Sequence, residues 1–427
     1  MADLPFGPAL RVRRHLLDNG LSVLTLVDHT APVVSYQTWF KVGSRDERAG
    51  KTGLAHLFEH LMFNETRSLG HGEFDRRIEN AGGETNASTW VDWTHYHSEI
   101  PASELGVIVA FEADRMANLV LREPQLRSER EVVQNERRFR VDDDVEGIAS
   151  EALYATAFTR HPYGHPTIGW KRDIAAFTTG DCRNFYRTYY APNNAILVVA
   201  GDFDEARLLR LLRAHYGRLA PARIARPTRP TEPAQRAERT RTLRRTTPSE
   251  KIALGYHGPA FGHADHAVLS VLNELLLGSR SSRLFRRLVE DEDLVADLHG
   301  HVTPFADPGL YEMWFSLREG RRAARVLRGV EREIRRLCTE AVPSAELDRV
   351  KNRAELGFLM ALETAGGKAE QAGFYETVLG DAGLLFTRLE EFRRVRADDV
   401  RRAARTYLNN DQRTRITVLP KGKASSR

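Results

Sequence analysis

The chain has 427 residues, 41% hydrophobic and 28% charged, a composition ordinary for a globular protein large enough for two or three domains. No apolar run approaches the roughly 18 to 20 residues that cross a bilayer, so no membrane partner is expected. The net charge of +5 is spread along helices among Asp and Glu without an aromatic-interleaved basic stripe, so nucleic acid is not an expected partner either.

The first eight residues, MADLPFGP, offer neither a basic nor an apolar leader segment, and the only cysteines are Cys182 and Cys338. A cytoplasmic location is the expectation, because so few cysteines build no disulfide framework. Residues 21–28 and 33–42 read as strands joined by a turn at His29-Thr-Ala-Pro32. A helix follows from near Thr52. Residues 72–81 read as a second helix closed by Gly82-Gly83, residues 85–100 as a strand pair, and residues 103–119 and 128–139 as helices. His95 and His97 alternate on one strand face and read as surface histidines.

Residues 223–249 are rich in Pro, Arg and Thr and read as a linker running into a strand. On either side the sequence repeats at an offset of 218. Asp181-Cys-Arg-Asn-Phe-Tyr-Arg-Thr-Tyr falls on Asp399-Val-Arg-Arg-Ala-Ala-Arg-Thr-Tyr, and the strand-like Ile196-Leu-Val-Val falls on Thr414-Arg-Ile-Thr. The expected organisation is a duplication: one domain over 1–222, a linker over 223–249 and a homologous domain over 250–427. Each domain is expected to be α+β, a largely antiparallel sheet with helices packed on it.

The chemistry concentrates at His56-Leu-Phe-Glu59-His60. Leu54, Leu57, Phe58, Leu61 and Met62 share one helix face, while His56, Glu59 and His60 occupy the opposite one. Two imidazoles one turn apart reach a single metal ion, and Glu59 stands beside it as a general base. A third ligand must come from elsewhere. The helix-like Ser128-Glu-Arg-Glu-Val-Val-Gln-Asn-Glu136 offers Glu129 and Glu136 on one face, one to ligate and the other to orient a ligand histidine.

These residues resemble the pitrilysin/insulinase family of inverted-motif zinc peptidases, in particular the branch of roughly 400-residue subunits that includes mitochondrial processing peptidase. The resemblance runs through Val42-Gly-Ser-Arg-Asp-Glu47, the His56–His60 motif, Gly82-Gly83 with Asn86-Ala87, Glu129 with Glu136, His161-Pro-Tyr-Gly164 and Tyr190-Ala-Pro-Asn-Asn194. It implies one zinc per chain on His56, His60 and Glu136, with Glu59 as base and Glu129 in support. It also implies that each subunit is half of a clamshell, and that peptides add as a strand along the segment of Asn86 and Ala87. In the processing-peptidase branch acidic residues in the region after Glu136 read a basic substrate side chain near the cleaved bond, and Glu146 is the residue here that fits best.

Two departures matter. At the 218 offset His56, Glu59 and His60 fall on Glu274, Leu277 and Gly278, so the second half has no metal site. Active relatives carry an Arg and a Tyr seven residues apart after a Ser-Arg-Leu-Phe-like helix; here Ser282-Arg-Leu-Phe285 is followed by Val289 and Ala296 at those places. The expected partner is therefore a paralogous, metal-free subunit carrying the Arg/Tyr pair, in a heterodimer or a pair of heterodimers. The alternative is a non-catalytic scaffold or peptide-binding subunit of the same fold.

Overall fold

The computed structural model describes residues 2–6 and 10–421. Its strands form two sheets. The first comprises β1 (Ala2–Phe6), β2 (Leu10–Leu16), β3 (Ser22–Val27), β4 (Val33–Phe40), β5 (Glu84–Thr89), β6 (Thr94–Pro101) and β7 (Ala195–Gly201), in the order β1-β2-β3-β7-β4-β6-β5. The second comprises β8 (Arg239–Arg245), β9 (Lys251–His257), β10 (Val295–Val302), β11 (Leu310–Leu317) and β12 (Arg413–Pro420), in the order β10-β11-β9-β12-β8. In each sheet one pair is parallel, β3 with β7 and β8 with β12, and the others are antiparallel.

The order β3-β7-β4-β6-β5 is repeated strand for strand by β8-β12-β9-β11-β10. The 218-residue offset carries Ala195 at the start of β7 onto Arg413 at the start of β12, and the helix Thr179–Tyr189 onto Ala397–Tyr407. The expected α+β architecture of two sheets with packed helices is what the chain forms.

The helices that matter for the site are α1 (Leu54–Leu61), α2 (Glu73–Asn80), α3 (Leu105–Asn118), α4 (Glu123–Arg137) and α5 (Val145–Ala157). The helix read over 128–139 starts five residues earlier, and Arg138–Asp142 continue it as a wider π turn. All seven residues of β7 are buried, the mark of a central strand covered on both faces. On one face Tyr36, Phe40 and Leu197 join Leu57, Phe58, Leu61 of α1 and Ile108 of α3 in a single core. The other face of β4 and β7 is covered by the helix Ala365–Leu379. There Gly373 gives Trp39 its space, since a Cβ would lie 2.2 Å from the indole Nε1.

That helix comes from the second half of the sequence. Its counterpart in the first half, α5, lies on β8, β9 and β12 of the second sheet. The two copies have exchanged equivalent helices. One compact unit accordingly holds Met1–Asn135, His165–Arg229 and Leu359–Thr387, and the other Glu136–Gly164, Pro230–Phe358 and Arg388–Arg427. These units are drawn differently from the sequence halves 1–222 and 250–427. The exchange also corrects the reading of His95. It is buried beneath the helix-covered face, stacked on Trp39 at 3.9 Å and hydrogen-bonded to Gln37 at 3.0 Å. Burial, reinforced by His97, holds its pKa well below the usual histidine value.

Candidate metal centre

Helix α1 begins where two chain segments touch. Gly53 has φ +92°, and a Cβ there would lie 2.4 Å from the carbonyl oxygen of Ile168, so only glycine fits. The exposed N–H groups of the first turn are met by a buried carboxylate: Glu47 accepts from the Gly53 N–H at 2.8 Å and the Ala55 N–H at 2.7 Å. Burial pushes the Glu47 carboxyl well above the usual range, against the downward pull of those donors. Asp173 holds the preceding residue, accepting from the Thr52 hydroxyl at 2.6 Å and its N–H at 3.2 Å. From below, the Tyr96 hydroxyl donates to the Phe58 carbonyl at 3.1 Å.

So fixed, α1 buries Leu54, Leu57, Phe58, Leu61 and Met62 and turns His60 on its other face towards Glu129 of α4. His56 is buried, while Glu59 and His60 are half-buried. The two imidazole centroids are 5.0 Å apart. One donor atom from each of His56, His60 and Glu136 lies within 4.8 Å of the others. Two imidazoles and one carboxylate, converging and largely shielded from solvent, fit a zinc ion with room for a non-protein ligand.

Glu129 stands two turns before Glu136 on α4. Its Oε2 lies 3.6 Å from Nδ1 of His60, and its Oε1 accepts from the Asn64 amide at 2.9 Å. Burial raises the Glu129 carboxyl, but the contacts with His60 and Asn64 outweigh it and leave the pKa below the ordinary value. Beyond Glu136, Arg140 reaches back one turn, its Nε 3.2 Å from Oε1.

The other expected positions are spread more widely. Asn86 and Ala87 sit on β5, which among the described residues pairs only with β6 and so ends its sheet. Helix α1 packs beside this strand. In the preceding acidic loop Asp144 caps α5, accepting from the Gly147 N–H at 2.5 Å. Glu146 lies in the first turn of α5 and pairs with Lys251 at 2.7 Å. Val289 lies in the turn Arg286–Asp291, and Ala296 is exposed on β10. Sequence reasoning assigned no role to Glu47, Asn64, Tyr96 or Asp173. Only Glu47 carried a signal, as the last residue of the quoted Val42–Glu47 motif.

Residues 22–171 match the family model described as insulinase (peptidase family M16), and residues 176–354 match the one described as peptidase M16 inactive domain. The chain is 31% identical to the zinc protease PqqE of Helicobacter pylori, over 95% of this chain and 92% of that one. It is 29% identical to an uncharacterised zinc protease of Mycobacterium tuberculosis, over 94% and 92% of the two chains. Among solved structures, a protease from Helicobacter pylori superposes with a TM-score of 0.93 at 31% identity, covering 98% of this chain and all of that one. An M16-like peptidase structure from Alicyclobacillus acidocaldarius, at 18% identity, a TM-score of 0.86 and coverage of 97% and 100% of the two chains, shares the fold.

Proposed function

The chain belongs to the insulinase family, peptidase family M16, and from that premise we propose that it is the zinc-bearing subunit of an endopeptidase of the processing-peptidase type. It would cleave short or unfolded peptides. The observation that carries the proposal is that His56, His60 and Glu136 each bring one donor atom within 4.8 Å of the others, with Glu59 lying between the two histidines along α1. Those three would hold one zinc per chain, and when bound the ion polarises the scissile carbonyl and activates water. Glu59 takes the proton from the attacking water and returns it to the leaving amine. Glu129 keeps His60 aligned through Nδ1.

The free edge of β5 would bind an extended substrate by backbone pairing at Asn86 and Ala87, which tolerates varied side chains. Glu146 would read a basic substrate side chain by exchanging its pairing with Lys251. Val289 and Ala296 have no side-chain donors for a developing oxyanion, and removing one such donor typically costs about 10² to 10³ in rate. A metal-free paralogue with an Arg/Tyr pair would supply them, as one heterodimer or two. The free cysteines support a cytoplasmic site of action.

A second reading, a non-catalytic peptide-binding or scaffold subunit, is favoured by those same two side chains. One comparison separates the readings: zinc content and peptide cleavage of the wild type and Glu59→Gln, each with and without the partner. The peptidase reading requires zinc in both and turnover only in the wild type. A zinc-free wild type favours the scaffold.

A further inference from the structure

Just past the end of α1, Asn64 is 6% exposed, its backbone N–H bonded to the Leu61 carbonyl at 3.1 Å. Its side chain bridges two groups. The amide nitrogen donates to Glu129 Oε1 at 2.9 Å, and the amide oxygen meets Nδ1 of the exposed His71 at 3.2 Å. The other Glu129 oxygen lies 3.6 Å from Nδ1 of His60.

The direction of this chain is fixed by what each group can do. An ionised carboxylate only accepts, so Asn64 must turn its NH₂ towards Glu129 and its oxygen towards His71. His71 must then carry its proton on Nδ1. At the other end the same carboxylate faces Nδ1 of His60 at 3.6 Å and favours the tautomer protonated there, which leaves Nε2 unprotonated. Without Asn64 one Glu129 oxygen loses its donor, and the carboxylate is free to rotate away from His60.

Building on the assignment of His56, His60 and Glu136 as zinc ligands, we propose that Asn64, held by His71, is a positioning residue that fixes the Glu129 carboxylate and, through it, presents His60 Nε2 to the metal. It touches neither metal nor substrate. Its contribution is to metal affinity.

The test is zinc affinity, measured by competition with a chromophoric chelator in full-length Glu59→Gln protein, so that turnover plays no part. Asn64→Asp fills the same space but cannot donate, and it is expected to weaken zinc binding by about 10-fold. A purely space-filling Asn64 predicts no change for that variant, and wild-type affinity there overturns the proposal. If Asn64→Asp does not fold, His71→Ala on the exposed side decides. It is expected to lose about 2- to 3-fold, less than the usual cost of a direct partner to a ligand, and unchanged affinity overturns the proposal. If the parent protein itself binds no zinc, the metal assignment fails first and the relay with it.

Discussion

The carboxylate of Glu47 bonds the backbone N–H of Gly53 at 2.8 Å, six residues on, across the entry to the helix that carries His56 and His60. With the Ala55 N–H on its other oxygen, this one side chain sets where α1 begins. The register of the histidines follows from it. Glu47→Leu leaves two buried donors unsatisfied, at a cost of about 1–3 kcal/mol each. Urea unfolding is expected to show a loss in that range or above, with weaker zinc binding. Unchanged stability and affinity would remove Glu47 from the account.

The two carboxylates of α4 divide the labour. Glu136→Gln is expected to weaken zinc binding far more than Glu129→Gln, for which about 10- to 100-fold is the usual cost of losing a ligand's partner. Equilibrium dialysis of both variants against zinc measures the ranking directly. If Glu129→Gln proves the more damaging, the two roles are reversed.

Lys368 on the helix Ala365–Leu379 donates to Asp28 at 2.6 Å and holds that carboxyl below its usual pKa. A carboxyl depressed in the folded state stabilises above its unfolded pKa of about 3.9, and the gain disappears as the pH falls through the folded value. Wild type is therefore expected to exceed Asp28→Asn in stability at neutral pH, with the gap closing below about pH 4. A gap independent of pH would show that the pair acts through packing alone.

The exchanged helix is tested at Gly373. An alanine methyl there would collide with the Trp39 indole at 2.2 Å. Overpacking of this kind typically costs about 1–3 kcal/mol. Gly373→Ala should lower the thermal midpoint and alter tryptophan fluorescence, while wild-type behaviour would mean that helix and sheet separate easily.

Much of this was legible in the sequence because it is local or repeated. The apolar stripe of α1 and the hairpin of β5 and β6 follow from short-range periodicity, the repeat from matching short segments at one offset of 218, and the structure agrees with each within a few residues. What escaped depends on packing between distant segments. Alternation in β6 places His95 and His97 on one face but says nothing of whether a helix some 270 residues later covers it. The exchange of α5 with Ala365–Leu379 is invisible for the same reason, because the periodicity of a helix does not name the sheet that it covers. Asn64 carried no pattern at all. Its role comes from a carboxylate 65 residues away.

The heterodimer is tested by mixing. Purified chain, shown by mass to be free of partners, should cleave a reporter peptide at about 10² to 10³ below the rate reached once a subunit bearing the Arg/Tyr pair is added. Equal rates with and without it would mean that this chain supplies its own oxyanion donors.

The central claim is the three-residue zinc site, and metal analysis of the purified chain beside its Glu136→Gln variant tests it most directly. One zinc per wild-type chain and a marked loss in the variant are expected, with folding unchanged. A wild type without zinc, or a variant that keeps its zinc as tightly, would contradict it.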